Sequence, residues 1–295
     1  MSANLTLLNT IVLITSLWAL SLTAEEVPYM KIDGDCLYHK RPEENGTLHL
    51  VAHHKSGTYL ASDIAKMVYN SHNSAKFHLN GLEDKQVLRS DYYLHTIRHP
   101  LDMLVSGYVY HKRCAEKWTM SPVHTDSRFF PPGFSVQLEG KPVGFCEYLG
   151  TVSPVEGLKK EFDRSMGIRN SNDGMGRMIR NMRTLRTAFG TDYSDHVLEV
   201  CLKDILKTMK NRIENFIMPW NRCRQHMDDS DHFDKKRVKH INNASHVMEL
   251  YSLGIEVLKS KNLLNTALTF PCSSEYISWP NNEIEAARET LPSRT

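Results

Sequence analysis

His49 to Asp63 reads HLVAHHKSGTYLASD, and its reading decides the fold. A short apolar run, Leu48 to Ala52, passes into the small-residue turn Lys55-Ser56-Gly57-Thr58, and a helical pattern through Leu60, Ile64, Met67 and Val68 follows at once. That order is strand, tight loop, helix. Such a loop aims backbone N–H groups and the positive end of the helix dipole at one point, which makes it an anion site, most often for phosphate. Lys55 adds a mobile positive charge, and Ser56, Thr58 and Tyr59 can add hydroxyl donors. A Walker A loop carries its lysine after the glycines, whereas Lys55 precedes Gly57, so an ordinary P-loop kinase is disfavoured.

Working outward, Tyr92 to Ile97 is aromatic and β-branched and reads as a strand. Pro100 suits the first turn of a helix, and Leu101, Leu104, Val105 and Tyr108 then recur at helical spacing. This second strand-loop-helix unit puts Arg98 at the strand end and Ser106, eight residues on, inside the helix. Arg98 can grip a phosphate through two N–H groups and Ser106 can donate to the same group. Two such units imply an α/β domain, a three-layer sandwich around a parallel sheet, with a ligand across the carboxyl ends of the strands.

Together these residues carry a resemblance. Lys55-Ser56-Gly57-Thr58 looks like the 5′-phosphosulfate loop of sulfotransferases that use 3′-phosphoadenosine 5′-phosphosulfate (PAPS), and Arg98 with Ser106, in the frame IRHPLDMLVSGY, resembles their 3′-phosphate site. The likeness is tight between about residues 48 and 112 and implies the P-loop-NTPase-like sulfotransferase fold. It implies a sulfuryl group passing from PAPS to an acceptor hydroxyl, with Lys55 neutralising the leaving oxygen and Lys55, Ser56, Gly57, Thr58, Tyr59, Arg98 and Ser106 holding the nucleotide. It also implies His78 as catalytic base, 20 residues before Arg98 in sequence, with Glu83 in reserve. His53 and His54 flank the loop. The chain departs from the family in having His54 where Pro is common and Tyr59-Leu60 where Thr-Trp or Thr-Phe is common. The family's glycine-rich C-terminal segment is not recognisable, and Lys235, Lys236 and Arg237 are the stand-ins; Leu202 to Ile205 takes the place of its YEDL-like turn. No metal is implied.

Length and charge bound the rest. The chain has 295 residues, with 36 basic against 34 acidic, which gives no whole-protein case for nucleic acid. Leu5 to Leu22 is uncharged and mostly apolar, and fits a cleaved signal peptide or an uncleaved signal anchor. Six cysteines without a CxxC pair, and sequons at Asn45 and Asn243, agree with a secretory route through the Golgi lumen or membrane or out of the cell. Sequence does not choose the disulfide pairing. The expected organisation is leader 1–24, lead-in 25–46, sulfotransferase domain 47–270 and a loose tail 271–295.

Arg113 to Gly144, rich in proline, reads as a substrate loop or lid rather than core. Asp173 to Phe189 reads as a helix whose Arg177, Arg180, Arg183 and Arg186 form a solvated basic face, or else a rim attracting an anionic acceptor such as a glycosaminoglycan. The acceptor implied is a glycan hydroxyl. Two rival functions stand beside it: a non-catalytic secreted protein that recognises sulfated glycans on the same fold, and a nucleotide-dependent kinase.

Overall fold

The computed structural model describes residues 46–56, 58, 61, 64–65, 75–78, 81–82, 87–127, 129–167, 174–202, 212–213, 216, 244–274 and 282. Leu5 to Leu22, both sequon asparagines, Gly57, Tyr59, Glu83 and Lys235 to Arg237 lie outside these residues, as does nearly all of Leu202 to Ile205.

Four strands, β1 (Leu48–Val51), β2 (Ala75–His78), β3 (Tyr92–Ile97) and β6 (Val197–Cys201), form one parallel sheet in the order β2-β1-β3-β6. Leu48 is level with both Ala75 and Tyr92, and Tyr93 with Val197, so Val51, His78, Ile97 and Cys201 all end near one edge. Parallel strands are buried on both faces, and the alternation of side chains sorts the core accordingly. Leu48, Leu50, Leu94, Leu198 and Val200 face Ile64 and Ile213, while Val51, Tyr93 and Val197 face Leu185 and Phe189. Helical residues Thr58, Ala61, Ile64 and Ala65 follow the first loop. Helices therefore cover both faces of the sheet, as the α/β sandwich expectation requires.

The second loop leads into α1 (Pro100–Lys112), whose first turn takes Pro100 and whose Leu101 N–H is capped by the His99 ring at 3.2 Å. Then come α2 (Lys117–Met120), the short antiparallel pair β4 (Gln137–Leu138) and β5 (Lys141–Pro142), α3 (Phe145–Thr151), α4 (Pro154–Gly167), α5 (Met175–Phe189) and α6 (Tyr193–His196). After β6 the described helices are α7 (Ala244–Ser260) and α8 (Leu264–Leu268). The largest apolar cluster joins α1, α3, α4, α5 and α7. Among the described residues no helix is long and apolar enough to cross a membrane.

Three expectations are corrected. The proline-rich stretch 113–144 is not a detached lid, because Phe130 and Val136 are each 2% exposed within the main core and Trp118 stacks on Phe129. Its aromatics outweigh its prolines. The arginines of α5 are not a solvated face either: Arg177 is buried, Arg186 pairs with Glu199 at 2.8 Å, and only Arg183 is exposed. Chain packing also continues past Pro271. Cys272 forms a disulfide with Cys201, and buried Ser274 donates to Asp102 at 2.7 Å. A second disulfide joins Cys114 to Cys146; Cys36 and Cys223 are outside the described residues.

Candidate functional site

The first loop turns through His53 and Ser56, with Ser56 N–H donating to the His53 carbonyl at 3.0 Å. Lys55 occupies the third position of this turn with φ +62°, a left-handed conformation that favours glycine. A lysine there costs about 1 kcal/mol and persists only where its surroundings fix it. The Ser56 hydroxyl, fully buried, accepts from His53 N–H at 2.9 Å and lies 3.0 and 3.1 Å from the carbonyls of His53 and Thr96. Thr58 Oγ1 donates to the His53 carbonyl at 3.2 Å. Both hydroxyls shape the loop from inside.

Arg98, just past the end of β3, donates from Nη1 to the Lys55 carbonyl at 3.1 Å. The two motifs, far apart in sequence, thus meet at the carboxyl edge of neighbouring strands β1 and β3. Ser106 sits on α1, half-buried, and Tyr110 stands one turn further along the same side. The Lys55 ammonium lies over the Tyr110 ring, 2.8 Å from its centre.

His78 ends β2. Its Nε2 is 2.9 Å from His49 Nδ1, and His49 Nε2 is 2.8 Å from Asp91 Oδ2. The carboxylate of Asp91 only accepts, so His49 carries its proton on Nε2 and offers Nδ1 as acceptor. His78 must then donate from Nε2, which leaves its Nδ1 with a lone pair. Burial, then His49, then Lys76 bring the pKa of His78 down to about 4, and burial outweighs Asp91 in lowering His49. Both rings are neutral at ordinary pH.

Beneath the loop, His53 Nε2 meets His95 Nε2 at 2.8 Å, and both side chains are sealed from solvent. Burial, followed by His95 and Arg177, holds His53 well below the usual histidine range, and burial with Arg186 takes His95 to about 3. Asn181 of α5 clamps the turn after β2, accepting from Leu82 N–H at 2.9 Å and donating to the Leu82 carbonyl at 2.8 Å. Gly81, at φ +82°, lets Asn181, His53 and Arg177 close around it.

On the far side of Lys55, His54 stacks on His111 of α1, ring centres 5.3 Å apart and planes within 9°. Burial, then Lys55, His111 and Arg164, hold His54 well below its ordinary value. His111 Nδ1 is 2.9 Å from Glu161 Oε2, and Glu161 also receives Arg164 at 2.7 and 3.2 Å. Burial would raise Glu161, but Arg164 and His111 outweigh it and bring it down to about 2.

The structure thus brings Lys55, Arg98 and the Lys55-facing side of α1 together and sets His78 in a chain with His49 and Asp91. Sequence reading missed His49, Asp91, His111 and Glu161. The signals were two polar residues inside otherwise apolar strand and helix patterns, each of which needs a buried partner. Comparison with family models, with curated proteins and with solved structures finds no match.

Proposed function

We propose that the chain is a sulfotransferase on the P-loop-like sulfotransferase version of this α/β fold, moving a sulfuryl group from PAPS to the hydroxyl of a glycan. The observation that carries the reading is the bond from Arg98 Nη1 to the Lys55 carbonyl at 3.1 Å, which couples the 5′-phosphosulfate loop to the 3′-phosphate arginine. In this reading Arg98 and Ser106 hold the 3′-phosphate and so select the nucleotide over ADP or ATP.

In the reaction the acceptor oxygen bonds to sulfur in line as the bond from sulfur to the bridging phosphate oxygen breaks. Lys55 leaves the Tyr110 ring to neutralise the charge that builds on that oxygen. The acceptor proton passes to His78 Nδ1, the lone pair that the chain from Asp91 through His49 keeps open. The two disulfides are compatible with an oxidising secretory lumen.

Calorimetric titration with 3′-phosphoadenosine 5′-phosphate against ADP tests the reading. The expected result is a preference for the 3′-phosphorylated nucleotide that Arg98→Ala abolishes, with transfer from labelled PAPS lost in Lys55→Ala. Equal or absent affinity would sink the assignment. A preference for ADP would point to a kinase, and glycan binding without nucleotide affinity to a binding protein.

A further inference from the structure

The His54–His111 pair has a third member. Glu116, four residues beyond the end of α1, brings Oε2 to 3.5 Å from His111 Nε2, and donor atoms of His54, His111 and Glu116 all lie within 4.8 Å of one another. His111 is fully buried, and neither its Nε2 nor Glu116 Oε2 makes a hydrogen bond. Glu161, with both oxygens on the Arg164 guanidinium, can only accept, so His111 donates to it from Nδ1. Its Nε2 faces the Glu116 carboxylate at 3.5 Å without a hydrogen bond, and a buried polar atom left without a partner costs about 1–3 kcal/mol. A cation bonded to both atoms would satisfy them together.

From this convergence we infer that His54, His111 and Glu116 form a site for a divalent transition metal, with zinc the best match to its chemistry. Two imidazoles and one carboxylate with an open fourth position is a donor set zinc takes. Bonds of roughly 2.0–2.2 Å put tetrahedral donors a little over 3 Å apart, so the His111–Glu116 pair is already spaced for it. Small side-chain rotations close the rest. Glu161 supplies the outer carboxylate that orients a ligating histidine through its other nitrogen.

Several features hold the ligands in place without metal. The Cys114–Cys146 disulfide pins the turn between His111 and Glu116, where Cys114 adopts φ +52°. Trp118 and Phe145 close on the His111 ring at 4.9 and 6.1 Å, excluding water. Arg164 is offset by Glu161, which leaves the Glu116 carboxylate to face a bound metal. Neither the nucleotide nor the acceptor enters this inference, which stands or falls apart from the proposed reaction.

Tag-free, disulfide-intact protein stripped with a chelator and titrated with Co²⁺ tests it by visible absorption, with Zn²⁺ then displacing the signal. One equivalent per chain with the intense bands of a tetrahedral site is expected. Glu116→Gln keeps the shape of the half-exposed side chain and should abolish the bands, while Glu161→Gln should weaken binding by about 10–100-fold. Added Zn²⁺ should raise the melting temperature of the parent protein and leave that of Glu116→Gln unmoved. No uptake would show that His111 and Glu116 satisfy one another without a metal, and equal uptake by Glu116→Gln would place the metal elsewhere; either overturns the site.

Discussion

Acidification from about pH 7.5 to about pH 5 should destabilise this protein through the buried pair His53 and His95, by an amount that follows from their burial. His95 has no exposed surface and titrates near 3 in the fold, against about 6.5 in the unfolded chain. A histidine lowered in this way favours folding only while it is neutral. The stability is complete above the unfolded value and is lost as the pH falls from there toward 3, because the unfolded chain takes up the proton first. At about pH 5 the unfolded residue is almost fully charged and the folded one is not, a difference of roughly 1.5 pH units or about 2 kcal/mol. His53 is lowered by burial, by His95 and by Arg177, and adds a loss of the same sign. The His95 contribution alone is a substantial part of the roughly 5–15 kcal/mol that holds a domain together. Glu161 does not confuse the measurement. Its lowered value near 2 contributes stability that is present above the normal carboxylate range and lost only at lower pH. Urea unfolding of the parent and of His95→Gln at both pH values gives the answer. The variant should lose at least about 2 kcal/mol of the pH-dependent difference whatever its starting stability, and an unchanged difference would refute the account of His95 as a buried neutral ring.

Other expectations follow from single contacts. Gly81→Ala must place a methyl 2.5 Å from Asn181 Oδ1 and 2.6 Å from His53 Cε1 at φ +82°. Thermal or urea unfolding should show a loss of about 2–4 kcal/mol. Asn181→Ala strands the N–H and the carbonyl of Leu82, each inside the fold, and should cost about 2–5 kcal/mol by the same measurement. Cys201→Ser opens a disulfide that spans 71 residues and, on the chain-entropy estimate, should lower stability by about 4 kcal/mol; a loss no larger than that of a surface substitution would show that the segment around Cys272 is held by packing instead.

The parts legible in the sequence are those whose cause is local. β1 and β3 are short apolar and aromatic runs, and α1 announces itself through Pro100 and the spacing of Leu101, Leu104, Val105 and Tyr108. The same local signals placed Lys55 after a strand and Arg98 at the end of its neighbour. What could not be read depends on contacts between elements. A spacing of three along α5 looks like a solvated arginine stripe until the helix is laid against one face of the sheet, which buries Arg177 and hands Arg186 to Glu199. Prolines in 113–144 look like loop until Phe130 finds Phe145 and Phe134. His49 and Asp91 were invisible as partners because one lies inside β1 and the other before β3, and only the parallel register of those strands sets them 2.8 Å apart.

That register also explains why Lys55 can hold a strained conformation. On one side Arg98 donates to its carbonyl, and on the other Tyr110 carries its ammonium, so both motif loops and α1 fix a single residue. α1 reaches this position because Gly107 lets α4 come close: a methyl there would sit 2.6 Å from Glu161 Oε1. The same approach carries Glu161 to His111, one turn beyond Gly107 and next to Tyr110. The helix that supplies Tyr110 to the loop therefore supplies His111 to the cluster on its other flank. His54 joins the two, being both the neighbour of Lys55 in the turn and the ring stacked on His111. How His54 is held bears on Lys55, the next residue of the turn, so a metal bound at the histidine cluster would act on the position of the lysine.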